Sequence, residues 1–130
     1  MRPRKETEGT GVLLDPAAFV RLREWGGDEL LQKMIELFLK NAPQRMEEVR
    51  QGMASGDVDA VERGSHSLKS SAGNLGAEAL RLGAARVEAL AEDGTLVGDP
   101  LRQAVKELES AWGRTEAALR EARDRGKEEA

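Results

Sequence analysis

Apolar side chains recur every three or four residues along four long segments of this sequence, and this spacing constrains the fold more than any other feature. Side chains at this spacing lie on one face of an α-helix, whereas a half-buried strand alternates apolar and polar residues. No segment of strand character competes, and the dominant residues Ala, Leu, Glu, Arg and Lys favour helices. The longest stripe, roughly residues 28–53, comprises Leu31, Met34, Ile35, Phe38, Ala42, Met46, Val49 and Met53.

Capping residues mark the first two helices. Asp15 followed by Pro16 predicts the start of a short leading helix, which Gly26 ends. Asp28 is predicted to cap the long helix, and Pro43 to kink it without ending it.

Three further helices follow. Asp57 caps one that ends at the sequence GNLG, the next runs from about Ala77 to Glu92, and the repeated Asp-Pro at residues 99–100 starts the last. Because short loops make sequential helices antiparallel neighbours, we expect an antiparallel up-down four-helix bundle with a short extra N-terminal helix.

The chain has 130 residues, which is room for one domain. We expect a disordered N-terminal arm over residues 1–11, a helical bundle over 12–122 and a frayed charged tail over 123–130.

Several classes of site and partner are excluded by the composition. The chain has no cysteine and a single histidine, so disulfides, thiol catalysis and multi-histidine metal sites are excluded, and we expect no metal. A net charge of -4 with mixed signs argues against a nucleic-acid partner. Apolar runs are too short for a membrane span and no signal peptide is evident, so we expect a cytoplasmic protein without a membrane partner. We also expect a monomer.

The single histidine, His66, is predicted to point away from the core. Its helix has an inward stripe of Val58, Val61, Ser65, Leu68, Ala72 and Leu75. At roughly 100° per residue, that stripe centres about 140° from His66. The outward face is shared with Glu62, Arg63, Ser70 and Gly73.

A lone surface histidine is usually only a polar residue on a solvated face, but the run SHSLKSSAGNLGA at residues 65–77 argues for more. Ser70 and Ser71 are mediocre helix formers, and Gly73 costs up to about 1 kcal/mol relative to Ala. Neutral imidazole is a good nucleophile near pH 7, and Lys69, whose ammonium is expected to reach toward the ring, offsets the charge of a transferring phosphoryl group. These features favour a phosphoryl carrier.

The run from His66 to Gly76 resembles the motif of the histidine-containing phosphotransfer (HPt) family of two-component phosphorelays, His-x-Leu-Lys-Gly followed by small residues and Leu-Gly. The segments LDPAAFVRL and GGDELLQKMIELFLKNAP and the acid-capped helix before the histidine are also similar to the family's order, so the resemblance covers roughly residues 12–120.

The resemblance implies that His66 is the phosphoacceptor, that Lys69 stabilises charge, and that Asn74 and Gly76 close the helix. Glu62, Arg63, Ser70 and Gly73 become the expected docking surface, with Ser70 standing where glycine is usual. The implied partner is the receiver domain of a response regulator or hybrid histidine kinase, whose aspartate exchanges the phosphoryl group. The chain itself needs no cofactor, because Mg²⁺ is expected only on the receiver.

Two other interpretations remain open. The first is a non-catalytic helical adaptor or dimerisation bundle with His66 incidental, for which Leu30 and Leu39, off the main stripe, would supply a docking patch. An ATP-dependent kinase is not expected, because the sequence has no P-loop or nucleotide-binding glycine signature. The nearest mixed alternative is the substrate domain of a larger kinase, present as a separate chain.

Overall fold

The computed structural model describes residues 12–93 and 99–129, which form four α-helices. Helix α1 spans Pro16–Ser55, α2 spans Val58–Leu75, α3 spans Glu78–Glu92 and α4 spans Asp99–Glu129. The all-α prediction is confirmed, and none of these four helices combines the length and apolar character that crossing a bilayer requires. The arm predicted over 1–11 lies outside the described residues.

Helix α1 contains both the predicted leading helix and the predicted long helix. Asp15 caps its start, because Asp15 Oδ1 accepts a hydrogen bond from the Ala17 N–H at 3.0 Å. The helical dihedrals are interrupted only at Gly26 and at Gly27, whose φ of 74° is one that glycine adopts without strain. The predicted stop at Gly26 is therefore a break between two helical segments.

The predictions for Asp28 and for Pro43 in α1 had different outcomes. The Asp28 carboxylate accepts a hydrogen bond from Arg23 Nε at 3.0 Å, so it ties the two segments together across the break instead of capping the second. The helix continues through Pro43, as predicted, and its backbone dihedrals leave the helical region only at Gly26 and Gly27. The kink expected at Pro43 stays a prediction.

The ends of α2 agree with the sequence. Asp57 Oδ1 accepts a hydrogen bond from the Ala60 N–H at 3.1 Å, which confirms Asp57 as the cap. Gly76 follows the helix with a φ of 80° and donates its N–H back to the last turn. This left-handed position is the one at which a glycine ends a helix.

The four helices form a closed ring in which each packs against two neighbours, in the order α1, α2, α3, α4 and back to α1. The arrangement is consistent with the predicted four-helix bundle. Phe38 of α1 and Trp112 of α4 close the ring with tilted aromatic rings whose centroids are 6.1 Å apart. The largest fully buried side chains include Ile35, Met46, Leu68, Leu75, Leu80, Leu101, Leu108 and Leu119.

The end of α4 differs from the predicted frayed tail. The helix continues past residue 122 to Glu129. Gln32 of α1 donates a hydrogen bond from Nε2 to the Arg123 carbonyl at 3.3 Å, and Lys127 pairs with Glu36 at 3.3 Å. Gly126 has no side chain where Gln32 lies, so this part of α4 packs closely on α1.

Candidate functional site

His66 lies in the middle of α2 and is exposed to solvent. Val61 and Leu68, on the opposite side of the same helix, are fully buried, and this fixes the rotation of α2 about its axis. The His66 side chain is consequently 62% exposed, as the apolar stripe predicted.

A buried carboxylate from α3 holds the imidazole. Glu88 Oε2 lies 2.8 Å from His66 Nδ1, and Glu88 Oε1 lies 2.6 Å from Lys69 Nζ. The Glu88 side chain is only 10% exposed. One carboxylate thus bridges the histidine and the lysine, and both of its oxygens have partners, as a buried charge requires.

Glu88 was missed in the sequence, although a signal was present. Ala84, Val87, Glu88 and Ala91 follow the spacing of a buried helix face, and all four are buried. An acidic residue at such a position needs partners from a neighbouring helix. That signal pointed to a polar contact but did not identify His66 and Lys69 as its members.

The electrostatics of Glu88 favour the ionised form. Burial raises the pKa of its carboxyl, but the hydrogen bonds from Lys69 and His66 and their charges lower it, and the net shift of the pKa is downward. Glu88 is therefore a carboxylate near neutral pH.

The ionised carboxylate determines the tautomer of the neutral ring. A carboxylate only accepts hydrogen bonds, so His66 Nδ1 must carry the proton and donate it to Glu88. Nε2, on the other side of the imidazole, then keeps its lone pair. The arrangement presents a neutral nitrogen nucleophile on an exposed ring.

Lys69 is held differently from the prediction. Its ammonium was expected to reach toward the imidazole, whereas Nζ binds the Glu88 carboxylate that also binds the ring. The cation and the imidazole are linked through this shared acid.

A groove of about 420 Å³ opens beside His66 between α1 and α2. Its α1 wall includes Met34, Leu37, Phe38, Asn41 and Arg45, and its α2 wall includes His66, Ser67, Ser70, Ser71 and Asn74. Leu37 is 45% exposed, which is unusual for a large apolar side chain in this structure. The groove therefore combines a mixed wall, in which Met34, Leu37 and Phe38 are apolar, with a wall of mostly small polar residues.

The predicted docking residues do not all line this groove. Ser70 does, whereas Gly73 faces α3, where a side chain would contact Arg81. Arg63 and Glu62 lie one turn before His66 and outside the groove. Arg63 Nε lies 3.4 Å from Glu48 Oε2 of α1.

The remaining predicted positions are divided between capping and packing. Gly76 ends α2 as expected, but Asn74 lies within the last turn and lines the groove. Leu30 and Leu39, suggested as a docking patch, pack against the core instead. Among residues 12–93 and 99–129, no group of three or more His, Cys, Asp or Glu is placed to hold a metal ion.

Comparison with known proteins supports the fold described above. Residues 33–125 match the family model described as the Hpt domain, which covers more than half of the chain. A solved structure, histidine-containing phosphotransfer protein B (HptB) from Pseudomonas aeruginosa PAO1, matches with a TM-score of 0.79 and 22% identity over 87% of this chain and 96% of that chain. At this identity the likeness concerns the fold. No protein with a curated description matches the sequence significantly.

Proposed function

Since the chain belongs to the Hpt domain family and functions in histidine phosphotransfer within phosphorelays, we propose that His66 is the residue that carries the phosphoryl group. The observation that carries the proposal is that the only histidine of the chain lies exposed, within the matched segment, with its ring held by a buried carboxylate. The partner is the receiver domain of a response regulator or hybrid histidine kinase, whose aspartate exchanges the group with His66.

In the proposed step, the lone pair of His66 Nε2 attacks the phosphorus of the receiver's aspartyl phosphate. The new N–P bond forms as the P–O bond to the aspartate breaks, and the aspartate leaves as a carboxylate. No proton needs to leave the ring, because Nδ1 keeps its proton on Glu88. Positive charge develops on the imidazole during attack, and the adjacent Glu88 carboxylate stabilises it.

Lys69 supplies positive charge beside the transferring group. An ammonium has three N–H donors, so Lys69 can bind Glu88 and still direct a second N–H toward a phosphoryl oxygen. The carboxylate also limits the positions that the flexible lysine adopts. Lys69 thus offsets charge that accumulates on the phosphoryl group.

The groove between α1 and α2 is the proposed docking surface for the receiver. Leu37 and Met34 offer apolar contact area, and Ser70 and Ser71 leave room beside the imidazole for close approach. Transfer requires the two reacting atoms to come within about 3–3.5 Å. Small side chains around His66 permit that distance without moving α2.

Hpt proteins in general are phosphocarriers and not kinases, and we propose that this chain likewise has no ATP-dependent kinase activity. Mg²⁺ is then needed only by the receiver. We further expect a monomer in the cytoplasm, where receivers and kinases meet it.

The experiment that tests the proposal follows phosphoryl transfer from phosphorylated receiver domains. Wild-type protein should be labelled, the label should be acid-labile and base-stable, and His66→Gln should remove it. The matched control is Arg102→Gln on α4, an exposed substitution that should leave labelling intact. A label that persists in His66→Gln would overturn the assignment. Receiver binding without any label would favour the adaptor interpretation.

A further inference from the structure

The side chains one turn on either side of His66 divide between two neighbouring helices. Arg63 reaches Glu48 of α1, and Ser70 lines the groove against α1. Lys69 reaches Glu88 of α3, and Glu62 lies on this second side, close to Glu88 and Glu92. His66 therefore lies on the line that separates an α1 side from an α3 side.

The α1 side is basic. Arg63 Nε and Arg45 Nη1 each lie 3.4 Å from the Glu48 carboxylate, so two guanidinium groups share one acid. Both distances are long for a charge-assisted hydrogen bond, and the Arg63 side chain is 64% exposed. Arg45 also lines the groove. A net positive charge is left on this edge of the docking surface.

The α3 side is acidic. Glu62 lies near Glu92, Asp59 and Glu88, and Lys69 is the cation paired with Glu88 there. Desolvation, then the charge of Glu92 and a hydrogen bond with it, and then the charges of Asp59 and Glu88 raise the pKa of Glu62. Four carboxylates with one paired cation leave this edge with a net negative charge.

We infer that this charge asymmetry fixes the orientation in which a receiver domain docks over His66, with an acidic rim of the receiver above Arg45 and Arg63 and a basic rim above Glu62 and Glu92. The inference rests on the proposed function. Charges at the rim of an interface mainly change association rates and exclude wrong orientations. Arg63 and Glu62 are thus specificity-determining residues, in addition to the groups that take part in transfer.

The test uses the receiver domain that labels wild-type protein fastest and measures the transfer rate against protein concentration. Arg63→Glu should lower the second-order rate constant about tenfold at low salt, with the maximal rate within about twofold of wild type. The difference should shrink at high salt, because the screening length falls from about 10 Å at 0.1 M to about 3 Å at 1 M.

The matched control is Arg102→Glu, the same charge reversal on α4 at an arginine that is 59% exposed. Helix α4 packs on α3 and α1 and not on α2, so this change is remote from His66. We expect its transfer rate to equal that of wild type. Equal rates for Arg63→Glu and Arg102→Glu would overturn the inference.

A charge exchange separates orientation from net charge. The double variant Glu62→Arg with Arg63→Glu keeps the net charge of the protein but inverts the asymmetry. The inference expects transfer at least as slow as in Arg63→Glu alone, whereas a return to the wild-type rate would contradict it.

The same assay distinguishes failure of the proposed function from failure of the inference about docking orientation. Phosphoramidate, a small phosphodonor, reacts without receiver docking: its P–N bond breaks, ammonia leaves and an N–P bond forms at His66. If neither phosphoramidate nor any receiver labels His66 of wild-type protein, the proposed function fails. If wild-type protein is labelled but the charge variants all match Arg102→Glu, only the inference about orientation fails.

Discussion

Glu88 links the chemistry of His66 to the interior of the bundle. Its carboxylate is almost fully buried, accepts the Nδ1 proton of an exposed imidazole and holds Lys69 at the same time. In the proposed mechanism it fixes which ring nitrogen reacts and stabilises the charge that develops on the ring. A single acid therefore positions both residues of α2 that the proposed mechanism uses.

Replacing Glu88 with glutamine should impair transfer without removing the acceptor. The amide still accepts a hydrogen bond but carries no charge, so both neutral tautomers of His66 become populated and Lys69 loses its anchor. We expect labelling of His66 by phosphoramidate to slow about tenfold or more, which is the size of loss typical when the carboxylate that orients a metal-binding histidine is removed. Nitrogen NMR of the imidazole should show the Nδ1–H tautomer in wild-type protein and a mixture in the variant.

Glu107→Gln is the matched control for this substitution, because Glu107 is half exposed on α4 and pairs with Arg86. It should change neither the labelling rate nor the tautomer. A Glu88→Gln protein that is labelled as fast as Glu107→Gln would show that Glu88 plays no part in the reaction.

The exposure of His66 was predictable from the sequence, because it follows from the periodicity of its own helix. Glu88, the shared partner of His66 and Lys69, was not predictable. It lies 22 residues after His66 in the sequence and contacts the imidazole only because α2 and α3 pack together. Local spacing determines which face a residue occupies. It does not determine which side chain of another helix arrives there.

Close packing of α1 on α2 depends on a glycine in α2. A side chain at Gly64 would lie 2.9 Å from Val49 Cγ2 and 3.0 Å from the Arg45 carbonyl oxygen, which is backbone. The same two helices form the groove beside His66. The separation of α1 and α2 therefore sets both the local stability and the width of the proposed docking surface.

Two Gly→Ala substitutions should change the free energy of unfolding in opposite directions. Gly64→Ala forces α1 and α2 apart, and overpacking typically costs about 1–3 kcal/mol, which exceeds the gain of up to about 1 kcal/mol in helix propensity. Gly113→Ala on α4 meets open space and should stabilise the protein by up to about 1 kcal/mol. Urea unfolding measures both changes. A stabilising Gly64→Ala would show that α1 and α2 can separate at little cost.

Helix ends were predictable where the signal lies in the adjacent residues, as for Asp15, Asp57 and Gly76. The predicted end of α4 differs from the structure, because contacts with another helix determine where α4 ends. The tail after residue 122 stays helical, and Gln32 and Glu36 of α1 bind it. The sequence of the tail alone does not predict those contacts.

The bundle as a whole contains a carboxylate whose ionisation contributes to folding in a defined range of pH. The pKa of Glu88 is lowered in the folded protein, despite the opposing effect of burial, by Lys69 and His66. A carboxyl with a lowered folded pKa contributes stability that is present above its unfolded pKa, about 4.3, and is lost as the pH falls through the folded value.

The lowered pKa of Glu88 predicts how the difference in stability between wild-type protein and Glu88→Gln depends on pH. The free energy of unfolding of wild-type protein minus that of Glu88→Gln should be largest above about pH 4.3 and should shrink as the pH falls below it. Urea unfolding from pH 7 to pH 3 measures the difference, with Glu107→Gln as the control for general charge effects. A difference that stays constant below pH 4 would contradict the lowered pKa of Glu88.

The only imidazole of the chain lies beside the groove between α1 and α2, and this limits the number of partners that the proposed carrier can bind at one time. A donor and a recipient that both dock over His66 cannot bind at the same time, so one must dissociate before the other binds. Every copy then stores a single phosphoryl group at most. The number of copies present therefore limits the amplitude of a signal through the relay, and the slower of the two dissociation steps limits its rate.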